Sequence, residues 1–217
     1  MSQEVSTLVS NILSNQRSMV SRERLLNVYN QCSKFNNTSY SFVECGVAKG
    51  GCLAMMKFSS GKDNKVFGFD SFEGMPPITT ADLGTYNKSC PIRDFGKTGD
   101  NLSGGIQSVY DTFQMFNLNM NNVKLFKGYF YDTLQNQDNI NEVGEIAILR
   151  LDGDWYNSTI ICLEQLYDKV IDGGVIIIDD YGHWVGAKRA VDHFRQMRNI
   201  SSPLIQTDYT EYYWIKQ

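Results

Sequence analysis

The sequence predicts an α/β fold: a doubly wound, mostly parallel seven-stranded sheet with an antiparallel edge hairpin, preceded by an N-terminal helical region. Three observations carry this expectation. Short, apolar, β-rich runs alternate with stretches at helical spacing, the pattern of βαβ units. The first three runs are separated by helices or long connections, as right-handed crossovers require. The last two, "PLIQT" and "EYYWIKQ", are joined only by "DYT", which fits a hairpin at one edge.

Taken in order, Leu8, Ile12, Met19, Leu25, Leu26 and Tyr29 recur at helical spacing through residues 3–34, with a break expected near Asn15. "SYSFVECGV" (39–47) reads as a strand ending in a glycine turn, Ala48 to Phe58 as a helix, and "KVFGFD" (65–70) as a second strand. Residues 71–104 lack periodicity and hold Pro76, Pro77 and Pro91, so a functional lid is expected there. Helix returns at Ile106 to Phe116, followed by strands at "NVKLFKG" (122–128) and "EIAILRLD" (145–152). Tyr156 to Ile171 is helical, "GVIIIDD" (174–180) is a strand buried on both faces, and Val185 to Met197 is helical. The organisation expected is a helical region over 1–38 and a single domain over 39–217.

The 217 residues carry 20 Lys and Arg against 24 Asp and Glu, a net charge of −4 with no basic run. No nucleic-acid partner is expected on that balance. The apolar runs fall short of the ~20 residues a membrane span needs, and the first residues hold no signal-like apolar core. Cys32, Cys45, Cys52, Cys90 and Cys162 form no CxxC and no metal-ligand spacing, which suits reduced core thiols. The expectation is a soluble, cytoplasmic protein.

In open α/β sheets, ligands bind beyond the carboxyl ends of the strands. "VECGVAKGG" sits at such an end, with Glu44, Gly46, Gly50 and Gly51 ahead of a helix. The spacing is GxxxGG rather than GxGxxG, and the acid before the first glycine suits a cation better than a phosphate. Asp70 ends the next strand, 24 positions after Gly46, where a carboxylate accepts ribose hydroxyls. A cationic nucleoside points to S-adenosylmethionine, with Ser71 beside Asp70 and Tyr129 after the third strand as further contacts.

Two more strand ends carry carboxylates: Asp152 and Asp154 in "LRLDGDWYNST", Asp179 and Asp180 in "VIIIDDYGHW". Residues two apart in a strand point the same way, whereas adjacent ones diverge. Neighbouring strands lie ~4.8 Å apart, so these carboxylates converge and repel unless a cation joins them. An all-oxygen set favours Mg²⁺ first, then Mn²⁺ or Ca²⁺. Trp155, Tyr156 and Trp184 flank the set as a candidate wall for a sugar ring.

Together with "GFDSFEGMP" and "KGYFYDTL", these motifs run in order from about residue 40 to 195 and resemble the macrocin O-methyltransferase (TylF-like) family. That resemblance implies a Rossmann-like class I methyltransferase domain, dependent on S-adenosylmethionine and Mg²⁺, that methylates hydroxyls of sugars on natural products and glycans. It implies Asp152, Asp179 and Asp180 as metal ligands, Asp154 as general base, and Glu44, Gly46 and Asp70 as cofactor contacts. His183 is the second candidate base. Asn157 departs from the family pattern, where an acidic residue is common, and the N-terminal region, on which subunit association such as a homodimer depends, is shorter. The alternatives are a catechol-type methyltransferase and a nicotinamide-dependent sugar dehydrogenase or epimerase. The latter wants GxGxxG and a helical YxxxK, but the YxxxK at Tyr212 and Lys216 lies in a strand run.

Overall fold

The computed structural model describes residues 2–83 and 104–217. Most of the expected lid, residues 84–103 with Cys90 and Pro91, lies outside the described residues. Two helices lead, α1 (Gln3–Ser14) and α2 (Arg22–Cys32), each opened by a serine whose hydroxyl accepts a backbone N–H of its first turn. The break falls at residues 15–21, as the spacing implied.

Strand β1 (Ser41–Cys45) is followed by α3 (Gly51–Ser59), β2 (Val66–Asp70), α4 (Gln107–Met115) and β3 (Val123–Lys127). Two short helices come next, α5 (Phe130–Thr133) and α6 (Gln137–Val143), then β4 (Ile146–Leu151), α7 (Tyr156–Leu166) and β5 (Val170–Ile178). The chain closes with α8 (Val185–Met197), β6 (Ile205–Gln206) and β7 (Tyr212–Ile215). The sheet order is β3-β2-β1-β4-β5-β7-β6. Strands β1 to β5 pair in parallel, and β7 is antiparallel to both β5 and β6. This is the doubly wound sheet with an antiparallel edge hairpin that the sequence predicts. The order reverses between β1 and β4, so their carboxyl ends open the crevice where such folds bind ligands.

The central strands are buried on both faces. Phe42, Ile148, Val175 and Ile177 join the core beneath α1–α4, while Val43, Leu149, Ile176 and Trp214 join the core beneath α7 and α8. The first of these faces also carries charge. Glu44, fully buried on β1, pairs in register with Arg150 on β4, itself 1% exposed. The Arg150 guanidinium donates to Glu44 Oε1 at 2.9 Å, to Asp152 Oδ2 at 2.9 Å, and to Asp179 Oδ1. From α2, Arg24 reaches Asp179 Oδ2 at 2.5 Å and Asp208 at 3.1 Å. Ser21 donates to the same Asp208 at 2.8 Å. An ionic chain thus ties the N-terminal layer and the β6–β7 loop to the centre of the sheet. Among the described residues no helix is long and apolar enough to cross a membrane. Cys32, Cys45, Cys52 and Cys162 are buried free thiols.

Removing one partner of a buried ion pair costs about 3–5 kcal/mol because the other charge is left without compensation. Arg150→Met is therefore expected to destabilise by that amount, and adding Glu44→Gln should recover part of the loss. Urea midpoints at unchanged slope measure both; a loss under about 1 kcal/mol for the single variant would show that Arg150 is dispensable.

Candidate active site

After Cys45 the chain turns across the end of β4. Gly46 adopts φ +95°, and a Cβ there would overlap the carbonyl oxygen of Asp152, so the position requires glycine. The Gly46 N–H donates to the Phe69 carbonyl and the Asp152 N–H to the Cys45 carbonyl, each at 2.8 Å, which carries the ladders past the strand ends. At the end of β2, Asp70 Oδ2 accepts the N–H groups of Val47 and Ala48 at 2.7 and 2.9 Å, and Oδ1 accepts that of Phe72 at 2.6 Å. Its carboxylate is thereby fixed at the mouth of the β1–α3 turn. A carboxylate offers about four lone-pair sites, so it can still receive ligand hydroxyls.

A cavity of about 700 Å³ opens there, within the range of small-molecule sites. Gly46, Asp70, Ser71 and Tyr129 line it, as do Asp152 and Asp154. Two of the residues expected at the cofactor do not. Gly50 stands at φ +85° as the N-cap of α3. Glu44 lies beneath the cavity, because strand alternation turns it toward Arg150. Burial pushes its carboxyl up to about 8 against the pull of Arg150, and its Oε2 has no hydrogen-bond partner.

The four aspartates separate into two sets. Asp152, Asp154 and Asp180 each present an oxygen within 4.8 Å of the others. Asp179 continues the alternation of β5 and points to Arg24 and Arg150 instead, so it stands outside this cluster although the resemblance places it among the ligands. Burial pushes Asp180 well above the ordinary carboxylate range, reinforced by Asp154 and Asp152. Burial and the Asp152 charge raise Asp154 to about 7, and the Trp184 hydrogen bond pulls it back. Asp179 is pushed up to about 6 by burial and by Asp152, with both arginines opposing. Three mutually repelling carboxylates without nitrogen or sulfur ligands fit a hard divalent ion.

Asp154 adopts φ +59°, a left-handed conformation that costs a non-glycine residue about 1–3 kcal/mol. Its neighbours hold it there. The Trp184 indole N–H donates to its Oδ1 at 2.7 Å, and its own N–H donates to Asp180 Oδ2 at 3.1 Å. Trp184 and Trp155 meet edge to face, 5.2 Å between centroids, and both are buried. The expected aromatic wall is thus internal packing at these two positions. Tyr156 is half-buried, and its hydroxyl meets His193 Nδ1 at 2.6 Å.

His183 does not line the cavity. It packs between Trp184 and Tyr209, and burial, together with Arg24, lowers its pKa and favours the neutral imidazole. Arg24 and Arg150 are not among the candidate site residues that the motifs single out in the sequence. Arg150 left a signal, a lone cation inside the apolar run "AILRL". Arg24, in an amphipathic helix, reads as solvent-facing.

The chain matches the Macrocin-O-methyltransferase (TylF) family over residues 10–216. It is 32% identical over 207 residues to the demethyldecarbamoylnovobiocin O-methyltransferase of Streptomyces niveus, covering 92% of this chain and 76% of that one. The 8-demethyl-8-(2,3-dimethoxy-alpha-L-rhamnosyl)-tetracenomycin-C 4'-O-methyltransferase of Streptomyces olivaceus is 33% identical over 177 residues, covering 79% of this chain and 64% of that enzyme. The chain thus spans under two thirds of that second relative. The structure of the O-methyltransferase NovP superposes with a TM-score of 0.80 at 30% identity, covering 93% of this chain and 82% of that one. An O-methyltransferase from Bacillus cereus in complex with S-adenosylhomocysteine shares the fold, with a TM-score of 0.64 at 12% identity over 100% of this chain and 92% of that one. The β1–Asp70 crevice, the acidic cluster and a match along nearly the whole chain lead to one assignment: the chain belongs to the macrocin O-methyltransferase (TylF) family and is an O-methyltransferase.

Proposed function

We propose that the protein transfers a methyl group from S-adenosylmethionine to a sugar hydroxyl, with a divalent cation, Mg²⁺ first, held at the acidic cluster. The observation that carries this reading is the juxtaposition of Asp152, Asp154 and Asp180 within 4.8 Å, the first two lining the cavity that Gly46 and Asp70 open onto. The relatives from Streptomyces are named for methylating novobiocin- and tetracenomycin-type products, the second on a rhamnosyl group. The second name supports a deoxysugar acceptor here.

When bound, S-adenosylmethionine supplies an electrophilic methyl group, and the divalent ion supplies Lewis acidity that makes the acceptor hydroxyl easier to deprotonate. Asp70 accepts the ribose hydroxyls, and Gly46 lets the ligand approach the backbone. Asp152 and Asp180, together with one oxygen of Asp154, would hold the ion, and Asp179 would join them only by giving up a guanidinium contact. Asp154 takes the acceptor proton. Its carboxylate lies at the cavity and is raised toward neutral pH, the condition under which a general base works best. His183, away from the cavity, is the weaker candidate.

Incubation with S-adenosylmethionine, Mg²⁺ and a panel of rhamnosyl, other deoxysugar and catechol acceptors, read by mass spectrometry, should give methylated sugars only. Asp154→Asn should lower the rate by at least about 10²-fold while S-adenosylhomocysteine affinity by calorimetry stays close to native. Full turnover in excess EDTA would sink the metal-dependent reading, and methylation of catechol alone would replace the acceptor.

The raised carboxyls also fix a pH dependence. A carboxyl shifted from 3.8 to about 7 stabilises the fold while protonated; that contribution is complete below its ordinary value and is lost as pH rises through 7. Ion binding needs the deprotonated forms. Added Mg²⁺ should therefore raise Tm more at pH 8 than at pH 6. An equal increment at both values would show that these carboxyls do not bind the ion.

A further inference from the structure

The turn that carries Asp154 leads straight into α7, yet the side chain of Trp155, the N-cap of that helix, accepts no N–H of the first turn. The missing acceptor comes from 74 residues away in sequence. Asp82, only 1% exposed, accepts the Tyr156 N–H on Oδ1 at 2.7 Å. Its Oδ2 accepts the Thr79 N–H and hydroxyl, both at 2.8 Å. Gly186, in the first turn of α8, leaves no space beside the capped amide: a Cβ there would overlap Asp82 Oδ1 and lie 2.8 Å from the Tyr156 nitrogen. Arg189 holds the same segment by donating to the carbonyls of Ala81 and Leu83 at 2.9 and 3.0 Å. A second contact from this segment reaches the turn, because the Trp155 indole N–H donates to the Pro76 carbonyl at 3.0 Å.

These contacts address the strain at Asp154. A left-handed, non-glycine residue persists only where its surroundings over-determine it. Trp184 and Asp180 hold the carboxylate and N–H of Asp154 itself, while Asp82 and Pro76 hold the two residues that follow. We propose that Asp82 is a positioning residue for the acidic cluster: by capping Tyr156 it fixes the Asp154–Trp155 turn and so keeps the Asp154 carboxylate beside Asp152 and Asp180. The proposal rests on the reading of that cluster as a divalent-ion site.

Mn²⁺ serves as the probe, with free ion followed by electron paramagnetic resonance in the presence of S-adenosylhomocysteine. Loss of a residue that orients metal ligands weakens binding by about 10- to 100-fold, so Asp82→Ala should fall in that range. Asp82→Asn, which keeps an oxygen for Tyr156, should restore most of the affinity. Gly186→Ala, whose Cβ would press on both the carboxylate and the Tyr156 nitrogen and so part the cap without removing it, should reproduce the loss and stands in should Asp82→Ala fail to fold. Arg189→Met, which loosens the segment without touching the turn, should bind Mn²⁺ like the native protein. In parallel, hydrogen exchange at the Tyr156 amide should quicken in Asp82→Ala and Gly186→Ala. Unaltered Mn²⁺ affinity, even with faster exchange, would reduce Asp82 to a helix cap and overturn the proposal, as would equal losses in Arg189→Met. Native protein that binds no Mn²⁺ would bring down the ion-site reading instead. The proposal would then be decided by exchange at Tyr156: faster exchange upholds its hold on the turn, and unchanged exchange overturns it.

Discussion

The Arg150 guanidinium is the constraint on which the rest of this structure depends. It lies in the middle of a parallel sheet, where an unpaired cation would be intolerable, and its planar fork meets carboxylates from three strands: Glu44 on β1, Asp152 beyond β4 and Asp179 beyond β5. Bidentate and multiply paired guanidinium contacts are directional, so they fix the relative height of the strand ends as well as balancing charge. Arg24 extends the chain of alternating charge to α2 and to Asp208 in the β6–β7 loop. The N-terminal layer is thereby registered against the same strand ends that form the cavity.

This arrangement changes the account of the acidic residues. Their convergence first implied that one cation must sit among all four. The structure divides the work: Asp179 is neutralised by protein guanidinia, Asp152 is shared, and Asp154 at the cavity and Asp180 beside it form no ion pair among the described residues. Burial raises both of these, the Asp152 charge adds to each and Asp154 adds to Asp180, which is the condition an external divalent ion relieves. Asp152 therefore joins the structural charge network to the chemical one. Its carbonyl oxygen also excludes any side chain at Gly46, so the cofactor turn and the acidic cluster meet at one residue.

The strands were legible in the sequence because a parallel sheet buried on both faces demands continuous apolar runs; β1, β2, β4 and most of β5 stand where those runs lie. Helices α5 and α6 were not, since four and seven residues are too few to display a period. The start of β5 was missed because Asp172, Gly173 and Gly174 interrupt its pattern. Among the site residues, Gly46, Asp70 and the aspartates were visible as polar residues at the ends of apolar strands. Which way Asp179 turns was not visible, because its partner Arg24 comes from a helix 155 residues earlier. Trp155 and Trp184 read equally well as a ligand wall or as core. Only their buried contacts with each other and with Pro76 and Asp154 decide for packing.

Asp154 differs in kind from the other three aspartates. Asp152 and Asp179 extend strands and the ladder places them, and Asp180 follows directly in a turn, its carbonyl accepting the His183 and Trp184 N–H groups. Asp154 lies one residue beyond Gly153, in a left-handed turn that no ladder supports. A general base placed by a strand would be rigid but limited to the alternation of the sheet. A base on a turn can be aimed off that alternation, toward a cavity that the strand direction does not face. The cost is backbone strain, which local sequence cannot offset because the following helix brings no cap of its own. The offset has to come from segments that meet only in the folded chain: Trp184 after β5, Asp180 at its end, and Asp82 and Pro76 after β2. Three loops at the carboxyl edge of the sheet are thus tied to one carboxylate, and the geometry of the candidate chemistry is set by tertiary structure rather than by the motif that contains it.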